Sequence, residues 1–127
     1  MTRMVARHPQ PALSAADFMR LLADETRLRA MLLIQHKGEL CVCELTEALQ
    51  VSQPKMSRHL AHLRDAGVVE TRRAGQWIHY RASQQLPAWA QQILSQMAKE
   101  LAGEPPFSAD LQAIKRAIAR NRSECEQ

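Results

Sequence analysis

A chain of 127 residues, with 46% hydrophobic but only 4% aromatic residues, fits one helix-leaning domain around a single core. No apolar run approaches the roughly 18–20 residues of a membrane span, the opening MTRMVARHPQ lacks the apolar centre of a secretion signal, and three cysteines without disulfide spacing fit a reducing compartment; the expectation is a cytoplasmic protein with no membrane partner. The net charge of +4 is concentrated, because six cations and two acids lie between Ser52 and Arg81 while the rest of the chain is neutral, which is the footprint of a nucleic-acid-binding face.

In chain order, residues 1–12 are polar and proline-punctuated and are expected to form a flexible arm. Ser14, with Asp17 three residues on, reads as the N-cap of a helix with Phe18, Leu21 and Leu22 on its apolar face. Asp24 caps a second helix through Leu28, Met31, Leu32 and Leu33, ending near Gly38; being apolar on more than one side, it should be central in the core. The stretch GELCVCELTEALQ contains a short helix that closes at Leu49. Ser52 then caps a helix with Pro54 in its first turn, and Met56, Leu60 and Leu63 form one buried stripe ending before Gly67. VVETRR and WIHYRA are β-prone runs around AGQ, a hairpin signal. Pro87 starts a helix with Ala90, Ile93, Leu94, Met97 and Leu101 on one face, and GEPP breaks it. Leu111, Ile114 and Ile118 mark a last helix before a polar tail, NRSECEQ, expected to fray.

Two helices joined at Gln50 and Val51, followed at once by a cationic hairpin, describe a winged helix-turn-helix: a mainly α fold with a small β-hairpin. The second of these helices turns Gln53, Ser57, Arg58 and Ala61 away from its apolar stripe. Glutamine pairs bidentately with adenine and arginine with guanine, and small side chains allow close approach to the major groove. Gln53, Lys55, Ser57, Arg58 and His59 are therefore the candidate DNA contacts of this helix, with Arg72 and Arg73 near the hairpin tip reaching phosphates or a minor groove. His59 and His62 are read as packing or DNA-touching residues rather than metal ligands, and His79, on a wing strand, as partly buried or solvated.

The pieces ADETRLRAMLL, ELCVCEL, SQPKMSRHLAHLRDAGVV and RRAGQWIHYR together resemble the ArsR/SmtB family of metal-responsive repressors over nearly half the chain. The resemblance implies a homodimeric winged-helix repressor that leaves double-stranded operator DNA when a metal or metalloid binds. It also implies dimerisation through the first and fifth helices, here 14–23 and 87–102. On this reading residues 13–102 form the DNA-binding and dimerisation domain, and 103–127 a C-terminal extension of one helix and a polar tail. Trp89 belongs either to the interface or to the core.

If Leu45 faces the core, Cys41 is the N-cap of its helix and Glu44 occupies N3, the geometry of a capping box. Cysteine is a poor cap, which suggests a chemical role. A helix N-terminus is expected to lower the thiol pKa. Trivalent arsenic or antimony binds up to three sulfurs in a pyramid, and Cys41 and Cys43 supply two. In a regular helix i and i+2 point about 200° apart, so the pair can grip one atom only where the first turn is irregular or unwinds. The family's arsenic pattern is often ELCVCDLC; here Thr46 stands at the third cysteine and Glu44 at the aspartate. The third ligand is then Cys125 from either subunit, a cellular thiol, or a retained substituent such as methyl. Arsenite or antimonite is thus the expected inducer. Alternatives are a cadmium-, lead- or zinc-responsive repressor of the same family, or a thiol redox-sensing regulator, although an i, i+2 disulfide is strained. An enzyme is not expected: there is no C-x-x-C, phosphate-binding glycine loop or clustered acid–base pair.

Overall fold

The computed structural model describes residues 13–125, with side chains through Arg122. The expected arm at 1–12 and the side chain of Cys125 lie outside the described residues. The elements are α1 (Ala15–Leu22), α2 (Glu25–Lys37), β1 (Leu40–Cys41), α3 (Val42–Leu49), α4 (Gln53–Asp65), β2 (Val69–Ala74), β3 (Trp77–Ala82), α5 (Ala88–Leu101) and α6 (Phe107–Cys125).

Three helix starts follow from short polar caps. The side chains of Ser14, Asp24 and Ser52 accept from the backbone N–H of Asp17, Arg27 and Lys55, each satisfying a donor with no partner inside its helix. Helix α2 stops where Gly38 takes φ 88°, and α4 is followed by Gly67 at φ 81°, a left-handed region that favours glycine. Ala30–Ile34 of α2 are all buried, so this helix is the centre against which α1, α3, α5 and α6 pack. On α4 the stripe Met56, Leu60 and Leu63 is completely buried, worth about 1.5–3 kcal/mol per side chain. Their burial fixes which face of α4 looks outward.

The sheet is larger than the expected hairpin. Strand order is β1-β3-β2, all antiparallel, with Leu40 opposite Tyr80 and Cys41 opposite His79. The wing strands run to Ala74 and Trp77, so the turn is the two residues Gly75 and Gln76, with φ 64° at Gly75. Two residues are too few to show alternation in sequence; β1 exists because β3 offers it a partner.

The tail also departs from expectation. Helix α6 runs through Cys125, well into the stretch expected to fray. It is held along its length: Ile114 and Ala117 are buried, and Asp110, 3% exposed, accepts two bonds from Arg29 of α2 at 2.9 and 2.7 Å. Near its end, Arg120 pairs with Glu47 of α3, and Asn121 donates to Glu47 at 3.0 Å.

Candidate functional site: a sulfur pair beside a helix-turn-helix

The outward face of α4 carries Gln53, Lys55, Ser57 and Arg58, all exposed, on the second helix of the unit formed with α3. The left-handed Gln50 (φ 57°) makes the turn between them. Of the six cations between Ser52 and Arg81, the exposed Lys55, Arg58 and Arg73 make no ion pair among the described residues, whereas Arg64, Arg72 and Arg81 each do. Arg72 is exposed too, but its guanidinium donates to both oxygens of Glu39, at 2.9 and 2.7 Å. That contact holds the Glu39 carboxyl below its ordinary pKa. Exposed pairs of this kind are worth about 0–1 kcal/mol, so a phosphate can compete for Arg72. Arg81 is similarly occupied by Glu70 at 2.7 Å.

His59 is placed differently. Its ring turns toward α2, with Nδ1 3.2 Å from Arg27 Nη1 and Nε2 4.0 Å from Asp24. Burial, more than the neighbouring cations, lowers its pKa. His62 is exposed, with Nδ1 3.5 Å from the same arginine. These imidazoles tie α4 to α2.

Cys41 and Cys43 are brought together. Cys41 is both the last residue of β1 and the N-cap of α3, with extended backbone angles (φ −91°, ψ 164°). It therefore escapes the helical rotation of about 100° per residue that would point i and i+2 apart. The two Sγ atoms are in direct contact, and both thiols are free. Cys41 is 4% exposed, whereas Cys43 is half-buried.

The expected lowering of the thiol pKa is corrected for Cys41, which is pushed up to about 12. Burial dominates, with the hydrogen bond to Cys43 adding to it. The Glu44 N–H opposes this shift, and the Glu44 carboxylate raises the thiol further. Desolvation of a thiolate thus outweighs the helix N-terminus.

Glu44 is the residue whose importance sequence reasoning underrated. Although only 1% exposed, it accepts from the Cys41 backbone N–H at 3.0 Å and from Arg122 Nε of α6 at 2.9 Å. A signal for this contact was present: Arg122 continues the α6 stripe of Leu111, Ile114 and Ile118 at helical spacing. His79, across the sheet from Cys41, has a buried Nδ1 without a hydrogen-bond partner. Among the described residues no group of three or more His, Cys, Asp or Glu side chains is placed to hold a metal ion, and no helix is long and apolar enough to cross a membrane.

Residues 24–71 match the family model described as bacterial regulatory protein, arsR family. An arsenic resistance transcriptional regulator of Pseudomonas putida is 52% identical over 87 residues, covering 68% of this chain and 68% of that protein. The arsenical resistance operon repressor of Escherichia coli K12 is 54% identical over 80 residues, covering 63% and 68%. Among solved structures, a homodimeric winged helix-turn-helix domain from Mycobacterium bovis superposes with a TM-score of 0.56 at 25% identity, covering 70% of this chain and 81% of that one.

Proposed function

The chain belongs to the ArsR family of bacterial regulatory proteins, and on that premise we propose that it represses an arsenic-resistance operon as a homodimer and leaves operator DNA when trivalent arsenic or antimony bonds to Cys41 and Cys43. The observation that carries this reading is the pair of sulfurs converging at the mouth of α3, one helix before the reading helix. The arsenical resistance repressor of Escherichia coli, more than half identical over the aligned stretch, supports the choice of inducer and the direction of control.

Arsenous acid suits a protonated pair. Each As–O bond gives way to an As–S bond, and the thiol proton leaves with the hydroxyl as water, so no thiolate has to be released into a buried site. Zinc or cadmium would instead have to drive both protons into solvent, against the raised pKa of Cys41. The third bond of the arsenic pyramid falls to Cys125, which α6 carries one turn beyond Arg122, to a small cellular thiol, or to a retained substituent such as methyl.

Cys41 joins two reading elements. Through β1 it pairs with wing strand β3, and as the cap of α3 it borders the helix that packs on α4. An atom inserted between the sulfurs separates them and displaces both the strand and the helix start. Moving the equilibrium from 1:99 to 99:1 takes about 5.5 kcal/mol of differential binding, which two As–S bonds formed better in the released conformation supply.

On DNA, Gln53, Lys55, Ser57 and Arg58 read or flank the major groove, and Arg72 and Arg73 contact phosphates, with His59 supporting the helix from behind. A two-fold dimer doubles this contact over half-sites. The Mycobacterium bovis neighbour is homodimeric. Met19 on α1 and Trp89 on α5 expose 44% and 37% of their surface, Trp89 standing edge-on to Phe18 at 5.4 Å, so this face suits burial against a second copy.

The closeness of the sulfurs also favours a second reading, oxidation of the pair to a disulfide. A raised thiol pKa slows thiolate attack, which ranks it behind arsenic. Operator retardation with added arsenite, antimonite, cadmium, zinc or peroxide separates the readings. Release by arsenite that disappears in Cys41→Ser and Cys43→Ser, with DNA binding intact, is the expected result. Release by peroxide alone establishes the second reading, and undiminished arsenite release from both variants overturns the site.

A further inference from the structure

We propose that Arg122, acting through Glu44, is a positioning residue of the sulfur pair: the C-terminal helix reaches back to hold the Cys41 turn in the shape that makes the two sulfurs converge. This rests on Cys41 and Cys43 being the metalloid donors. It assigns a role to α6, which lies wholly outside the segment that matches the family model.

The geometry is a closed chain of contacts. Glu44 Oε1 accepts from the Cys41 N–H at 3.0 Å, while Oε2 accepts from Arg122 Nε at 2.9 Å. Arg122 Nη2 donates to the backbone carbonyl of Glu39 at 3.2 Å. One guanidinium therefore grips the chain on both sides of Cys41: two residues before it through a carbonyl, and three residues after it through a carboxylate. Between these points the backbone must switch from strand to helix, and that switch is what sets Cys41 Sγ against Cys43 Sγ.

Burial explains why Arg122 is needed. The Glu44 side chain is 1% exposed, against 47% for that of Arg122. A carboxylate so enclosed stays in place only with a cation and hydrogen bonds to satisfy it. Without the arginine, Glu44 is driven to turn toward water, the Cys41 N–H loses its acceptor, and the turn loses the brace that holds its sulfur. Groups that orient ligands in this way typically contribute about 10- to 100-fold to metal affinity. The arginine itself is held by its helix, since α6 is anchored to α3 through Glu47 and to α2 through Asp110.

The test uses the full-length protein and arsenite itself. Arsenite affinity, operator affinity without arsenite, thermal unfolding and the sulfur count around bound arsenic from X-ray absorption are measured for Arg122→Gln, Arg122→Lys, Glu44→Gln and the double variant Glu44→Gln/Arg122→Gln. Arg122→Gln is expected to weaken arsenite binding about 10-fold or more, a larger loss than any in operator affinity. The lysine variant, which keeps the charge but not the fork, recovers part of the loss. The double variant recovers most of it, because an amide at position 44 still accepts the Cys41 N–H and no buried charge is left unpaired. Wild-type arsenite affinity in Arg122→Gln, with Cys41→Ser and Cys43→Ser unable to bind arsenite, overturns this proposal and leaves the donor assignment standing. A double variant no better than Arg122→Gln also overturns it, because the arginine then does not act through Glu44. Full arsenite binding by both serine variants removes the donors, and this proposal with them.

Discussion

Replacing Asp110 with Ala tests whether α6 is a structural part of the domain. Asp110 is 3% exposed and accepts both forks of the Arg29 guanidinium, whose side chain is itself only 24% exposed. Removing one partner of a buried pair costs about 3–5 kcal/mol, because the remaining charge loses its compensation. Here the cost falls toward the lower end. Glu25, one turn back on α2, already lies 3.3 Å from Arg29 Nη1 and can take a larger share of it. The expected loss is about 3 kcal/mol, or about 11 °C in melting temperature for a domain of this size. Urea and thermal unfolding followed by helical circular dichroism, at fixed protein concentration so that subunit association does not enter, measure it directly. The combined change Arg29→Met with Asp110→Leu leaves no stranded charge and should lose much less than Asp110→Ala alone. A loss below about 0.5 kcal/mol in Asp110→Ala, the size of an ordinary surface substitution, would refute the reasoning, as would a double variant worse than the single one.

Arg58→Ala is expected to cost about 1–3 kcal/mol in operator binding and to relax sequence preference if the arginine contacts a base; equal affinity for all operator variants, before and after, removes it from the reading set. Arg73→Ala should weaken specific and non-specific DNA alike and lower the salt slope by about one, as titrations at several salt concentrations will show. Cys41 gives the alkaline limb of stability a definite sign: the folded state keeps a proton that the unfolded chain loses near pH 9, so its contribution is complete below that pH and disappears as pH rises toward about 12. The urea midpoint should therefore fall more steeply with alkaline pH in the wild type than in Cys41→Ser. In the same pH range, alkylation should mark Cys43 before the buried Cys41, with peptide mass mapping as the readout.

Most of the fold was legible because its signals are local. Ser14, Asp24 and Ser52 announce helix starts through bonds to residues three positions away, and the Met56, Leu60 and Leu63 spacing identifies the inner face of the reading helix. The wing was readable from two β-prone runs and a glycine turn. Strand β1 was not, because its existence depends on a partner some forty residues away. The length of α6 was missed for a similar reason: NRSECEQ has no helical signal strong enough alone, and its helix is held by contacts with Glu44 and Glu47 on another element.

For the site, the sequence by itself supplied the candidate donors, two cysteines two apart at the start of the first helix of the helix-turn-helix, together with the cations beyond it. Only the tertiary structure decided that their sulfurs meet, because convergence requires Cys41 to sit in a strand on one side and cap a helix on the other. It also reversed the expected direction of the thiol pKa. A helix end offers a fixed and local attraction to negative charge, whereas the cost of burying that charge depends on every element packed around it. Here α6 and the wing close over the turn, and desolvation prevails.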